Sequence, residues 1–276
     1  MRMDRLSSKL KVSVALVAAG WIAGPLPAQE IALTPLQLVR AMVAHEDDEA
    51  AHRDRYEFLS EERSERTGEH LWTEHVVETA QGRVRLLIAE DGQPLTAARV
   101  EQEHARLAAL VADSGIFVRQ EEAQRNDEAQ ARQMLDMLPK AFVFDNVRLA
   151  DGVWRMDFHP DPGYVPNGLQ ERVLHGMSGW LAIDAQAGRL VHIEGQLPRD
   201  VSIGFGLLAT IHAGSHFTSE RRSVDGHWRT VHVLTDIRGK AALFKTVGRN
   251  NEVSRSEFVY LSPGMTVGQA AALLEK

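Results

Sequence analysis

Cysteine is absent from the 276-residue chain. That excludes a disulfide framework and leaves no thiol for lipid attachment. Positive charge is also short, with 31 Lys and Arg against 38 Asp and Glu. An acidic balance of this size disfavours nucleic acid or anionic lipid headgroups as the main partner. The common catalytic signatures are missing: the sequence contains no H-E-x-x-H, no G-x-S-x-G, no G-x-x-x-x-G-K-[ST] and no G-x-G-x-x-G opening a helix. The glycines of "IGFGLL" fall in a strand pattern. There is no internal repeat and no low-complexity tract. What is present, 44% hydrophobic and 25% charged residues, is the composition of an ordinary globular protein.

The only long apolar run lies at the start. "MRMDRLSSKLK" is basic, "VSVALVAAGWIAG" is apolar, and "PLPAQE" brings a small residue before a polar one. This order predicts a secretory signal peptide over residues 1–28, cleaved after Ala28. The run is short for the roughly 20 residues that span a bilayer. Without residues 1–28, which carry four basic residues and one acidic, the formal net charge passes from −7 to −10. The expected product is a periplasmic or secreted protein that is free in solution.

Residues 29–276 read as one α+β domain. Thr34 and Pro35 start an amphipathic helix with Leu36, Leu38, Val39, Met42 and Val43 on its apolar stripe. Residues 54–66 form a long polar strand, expected at an edge or open to water, and 70–79 and 83–90 follow as a hairpin. Residues 94–138 switch to helical spacing. They predict a helical insert of two helices, the first capped by Thr96 and the second ended before Pro139. From Lys140 onward the pattern is strands: 140–149 and 153–160, then an irregular crossing loop over 161–177, then 178–184 and 189–197. One long strand over 200–213, then 215–224, 227–247 and 254–261, complete the series, and a helix capped by Thr266 and Gln269 follows. The expected fold is a single curved antiparallel sheet of about 11 strands, an incomplete β-barrel with a helical hairpin insert and N- and C-terminal helices.

The site candidates are few. In "IHAGSHF", His212 and His216 chelate a metal only if residues 213–215 form a hairpin loop, since a straight strand separates them by about 13 Å. His70 with His75 and His227 with His232 are spaced to opposite faces, so neither pair completes a metal site, and no metal or cofactor is expected. His175 and Ser178 in "HGMSG" have the types for nucleophilic catalysis but no acid nearby. Asp157 and Asp161, around His159, read as loop residues. What remains is a surplus of apolar wall: a sheet of this size presents more hydrophobic face than the helices cover, which leaves a concave apolar pocket. Trp180, Phe205, Leu207, Ile211 and Trp228 are the residues expected on it.

The layout resembles a known family. "GWLAIDAQAGRLVHIEGQL" with Asp184 and Gly188 at its turn, "DVSIGFGLLATI" and "GKAALFKT" are similar to the periplasmic lipoprotein carriers of the LolA/LolB type, whose fold is shared with RseB-type sensors. The resemblance implies an open hydrophobic half-barrel that takes up the acyl chains of lipoproteins or lipids and hands them on without covalent chemistry. The function expected is therefore a carrier rather than an enzyme. An envelope sensor that pairs a protein partner through residues 54–66, and a metal- or serine-dependent hydrolase, are the competing readings.

Overall fold

Three Asp-Gly pairs set the hairpins. In the computed structural model, which describes residues 33–50, 56–203, 209–241 and 245–276, Asp91-Gly92, Asp151-Gly152 and Asp225-Gly226 all have φ between +49° and +81°. A two-residue turn whose twist suits the flanking strands needs positive φ at both central positions, and Asp-Gly supplies it cheaply. Around these turns lie β1 (Tyr56–Ser64), β2 (Trp72–Thr79), β3 (Gly82–Glu90) and the two-residue β4 (Gln93–Pro94), then β5 (Phe142–Ala150), β6 (Val153–Pro160), β7 (Ser178–Asp184) and β8 (Leu190–Gln196). The short β9 (Val201–Ile203) and β10 (Ala209–Ile211) precede β11 (His216–Val224), β12 (His227–Ala241) and β13 (Lys245–Tyr260).

These strands form one open antiparallel sheet of thirteen strands, ordered β4-β3-β2-β1-β13-β12-β11-β8-β7-β6-β5, with β10 beside β12 and β9 beside β10. The margins, β4 and β5, do not pair, so the barrel is incomplete as expected. The helices are α1 (Pro35–Ala50), α2 (Ala97–Ala112), α3 (Ser114–Ala141), α4 (Gly168–His175) and α5 (Val267–Leu274), with a single 3-10 turn at Glu65–Thr67. Thr34 and Gln37 cap α1 reciprocally, at 3.2 and 2.8 Å. Thr266 and Gln269 do the same for α5, and Thr96 accepts from the Arg99 amide at the start of α2. Among the described residues no helix is long and apolar enough to cross a membrane.

Burial explains the packing. Val39 and Met42 of α1, Leu138 and Ala141 of α3, and Phe142, Met156, Phe158, Leu181, Ile183, Leu190 and Ile193 of β5–β8 form the largest core. Each large side chain fully withdrawn there is worth roughly 1.5–3 kcal/mol. A second core joins Val77, Val84 and Leu86 of β2–β3 to Leu107 and Leu110 of α2 and to Ala270, Ala271 and Leu274 of α5. Residues Leu33–Lys276 gather into one compact unit.

Several expectations need correction. Residues 54–66 are not at an edge: β1 is hydrogen-bonded to β2 on one side and β13 on the other. One face is open to water, as expected, with Glu61 and Arg63 exposed, while the other buries polar Ser60, Glu62 and Ser64. The strand expected over 200–213 is two segments, because β9 and β10 lie antiparallel, with Ile203 opposite Ala209 and Val201 opposite Ile211. Val201 and Ile211, directly opposite one another, share one side while the direction of the chain reverses. The loop expected over 161–177 contains α4. Pro139 lies inside α3 rather than beyond its end; it forfeits one hydrogen bond in the last turn, where burial of Leu138 and Ala141 holds the helix. The strand expected over 227–247 is divided between β12 and β13, and the stretch left between it and 254–261 is strand too, because Asn251 is paired with Thr235 on β12 and Ser64 on β1. Residues 1–28, and Phe205 and Leu207, lie outside the described residues.

Candidate functional site

The two ends of the sheet face one another across a cavity of about 1780 Å³. Residues from β1–β3 and from β5–β8 both line it, so the sheet bends around it. The wall at the β5–β8 end is apolar. Phe142, Phe158, Leu190 and Ile193 come from the strands, and Leu135, Leu138, Val173, Leu174 and Met177 come from α3, α4 and the turn after α4. Phe217 extends this wall onto β11. Its ring lies over Gly195, the residue directly opposite, where an added β-carbon would meet the ring at 2.6 Å. Only glycine leaves room for that ring.

Of the residues assigned to the ligand face, Ile211 and Trp228 line the cavity. Trp180 does not. It alternates with Leu181 and Ile183, which are buried in the core, and therefore points away from the cavity. There it stacks on His192 at 4.1 Å with Arg155 3.7 Å over its other face, and its Nε1 donates to Glu194. A tryptophan between a cation and an imidazole is satisfied where it stands.

The opposite wall is charged, which the sequence reading did not anticipate. Along β1 Tyr56, Phe58, Ser60, Glu62 and Ser64 share one buried face, and of these Glu62 and Ser64 line the cavity. Beside them stand Glu74 and Glu78 of β2, Arg83 and Arg85 of β3, Arg229 of β12 and Arg255 of β13. Arg66 clamps two carboxylates at once: Nη2 lies 2.7 Å from Glu62 Oε2 and 2.7 Å from Glu74 Oε2. Arg85 Nη1 adds a contact to Glu74 Oε2 at 3.3 Å. Glu78 is shared between Arg83 and Arg229, and Arg83 reaches Glu128 of α3 at 3.2 Å. Burial alone would raise the Glu62 carboxyl, but Arg66, Ser64 and Arg85 outweigh it and hold it below the usual carboxylate value. Burial would likewise lower Arg66, and Glu62 and Glu74 outweigh it and hold it above its ordinary value.

The helix α3 spans the cavity between the two walls. Near its middle Arg125 donates to the Gln81 carbonyl at 2.8 Å, and Glu128 meets Arg83. Its last turns put Met137 and Leu138 into the apolar core. At the rim between the walls, Glu46 of α1 pairs with Arg221 of β11.

The histidines are dispersed. The segment 212–215 is neither a straight strand nor a hairpin loop. Ile211 pairs with Gly239 and His216 with Asp236 along the same side of β12, so the segment is an outward bulge in one path. His212 faces Asp200 at 3.3 Å, while His216 Nδ1 donates to the Gly214 carbonyl, 3.1 Å away. Ser215 fills the bulge, receiving the Arg238 amide at 3.0 Å. His175 Nε2 donates to the Asp161 carbonyl at 3.0 Å and not to Ser178. Asp161 closes a local turn onto the Gly163 amide, as a loop residue should. Asp157 accepts from Asn146, and His159 faces Asp145 at 3.4 Å. His70 pairs with Asp91 and His75 with Glu57, on separate side chains. His227 packs against Tyr56 and Tyr260, and His232 meets Ser254. Among the described residues no three His, Asp or Glu side chains gather to hold a metal ion.

One signal in the sequence could have found the charged wall. Arg83 and Arg85 alternate on one strand and Glu74 and Glu78 on its hairpin partner, so opposite charges meet on a single face. No family model, no curated protein and no solved structure matches this chain.

Proposed function

We propose that this chain is an exported binding protein that holds the acyl chain of a lipid or lipoprotein in its cavity and performs no covalent chemistry. The observation that carries the reading is the apolar wall from Phe142 to Phe217 beside a half-open cavity of about 1780 Å³. Pockets for drug-sized ligands run to roughly 300–1,000 Å³, so a long chain, or more than one, fits this volume. Each methylene withdrawn from water onto such a wall gains about 0.8 kcal/mol, enough to hold a lipid without polar recognition along its length. The helix α3 crosses the space as a cover. The likeness to periplasmic lipoprotein carriers supplies the same reading, and with it a site of action in the periplasm.

The interaction alternative loses its footing, because the strand offered for pairing with a partner is paired on both sides. The binding reading is tested by native mass spectrometry of protein isolated from the periplasm, together with uptake of a fluorescent fatty acid. A population carrying lipid-sized adducts, and saturable uptake, is expected. Uniformly ligand-free protein that takes up no probe rejects the reading.

A further inference from the structure

The charge around the cavity is opposite to that of the chain. Among the described residues eleven arginines and eight glutamates line the space, without lysine or aspartate, in a chain of formal net charge −7. On the charged wall itself, Arg66, Arg83, Arg85, Arg229 and Arg255 face three carboxylates, Glu62, Glu74 and Glu78. The glutamates are taken up by the first four arginines.

Arg255 is left over. Among the described residues it makes no ion pair; Nη1 donates to the Thr230 carbonyl at 3.3 Å, and the guanidinium lies 5.8 Å from the Phe58 ring. A guanidinium has five N–H donors, so most of its capacity is unused. Directly across from it on β1 is Ser60, 1% exposed, whose Oγ has no hydrogen-bond partner. A buried hydroxyl without a partner thus stands beside a half-buried guanidinium with donors to spare, a pair that an anion would complete. Burial foremost, then the nearby charges of Arg83 and Arg85, draw Arg255 down to about 9 against the opposing pull of Glu78, with Arg229 adding to the repulsion. An anion beside it would relieve that repulsion. The choice of arginine suits the task, since its planar fork matches the two oxygens of a carboxylate or phosphate.

We infer that the charged wall seats the anionic head of the bound amphiphile, a carboxylate or phosphate monoester, with Arg255 and Ser60 as its contacts and Arg83, Arg85 and Arg229 supplying the surrounding positive field. This rests on the acyl-chain reading and adds the chemistry of the ligand's other end. The overall acidity that argued against anionic headgroups describes the outer surface; the cavity has its own balance.

The test uses the intact protein loaded with the neutral probe N-phenyl-1-naphthylamine, displaced by tetradecanol, myristate or tetradecyl phosphate. The expected result is that at least one anionic competitor displaces the probe at a concentration about tenfold below that of tetradecanol, and the better of the two names the head. In Arg255→Met that ratio collapses towards one, and in Arg255→Lys it is partly kept. Equal displacement by the alcohol and both anions in the unmodified protein overturns the head-group site while leaving the acyl-chain reading standing. Failure to bind the probe or any competitor overturns both. Should Arg255→Met not fold, as judged by circular dichroism, the comparison of heads in the unmodified protein still decides.

Discussion

On β6 and β8 the cavity is met by Phe158, Leu190 and Ile193, whereas on β2 and β3 it is met by Glu74, Glu78, Arg83 and Arg85. Both walls are built on the same antiparallel ladder, and both are withdrawn from bulk water. They differ in how the side chains depend on one another. On the hydrocarbon wall each side chain contributes its own area, and a loss at one position stays local. On the ionic wall Glu78 serves two arginines and Arg66 serves two glutamates, so removing one group orphans others. A buried ion network of this kind is often no more stable than the hydrocarbon that could replace it. Its presence here fits the head-group site proposed above.

The largest expected effect breaks the ionic wall. Glu78→Gln removes the carboxylate shared by Arg83 and Arg229 and should cost about 4 kcal/mol in urea unfolding, part of it regained in the presence of tetradecyl phosphate. A loss below about 1 kcal/mol would show that the network is not coupled. Next comes the hydrocarbon wall: Leu181→Ala, fully buried beside Ile183, should cost about 3 kcal/mol. Combined with Glu78→Gln it should be additive, because the two cores do not share partners; a large coupling energy would erase the distinction between the walls.

A smaller effect sharpens it. Gly195→Val drives the Phe217 ring off the sheet and into the cavity, at a stability cost of about 1–3 kcal/mol, and should weaken uptake of bulky apolar probes more than of short chains. Unchanged uptake would place the ligand elsewhere. The smallest effect concerns acid. Glu62 has a folded-state value below its ordinary 4.5, so its contribution is complete above about pH 4.5 and is lost as pH falls through the lowered value. Glu62→Gln should therefore show a shallower loss of stability than the unmodified protein as pH falls below about 4.5.

The hydrocarbon wall was more legible in the sequence than the ionic one. Asp151-Gly152, the alternation in 178–184 and the reciprocal cap at Thr266 are local signals, each satisfied by residues close in the chain. Ile211 and Trp228 were found because apolar residues on alternating strands point to a core. Trp180 misled because alternation tells which residues share a face, not which face is concave. The charged residues were missed for a related reason: Arg83, Arg85 and Arg255 read as solvent-facing when each strand is taken alone. The β2–β3 hairpin sets Arg83 and Arg85 beside Glu74 and Glu78, but only the pairing of β1 with β13, across almost two hundred residues of chain, adds Arg255 to them. The same pairing explains why "YEFLSEERS" looked like an outer strand and is in fact central.

The two margins of the sheet carry a final consequence. An open sheet of this width offers bare backbone at both sides, a template on which further chains could add. Here the β4 margin is two residues long and ends in Pro94, which has no amide hydrogen to give, and Arg106 of α2 occupies the carbonyl of Arg85 on the adjoining strand. The β5 margin is broken by a register shift between Asp145 and Arg148, with Asn146 at φ +49°, which twists that rim out of line. Both ends of the main strand order are thus guarded against edge-to-edge addition.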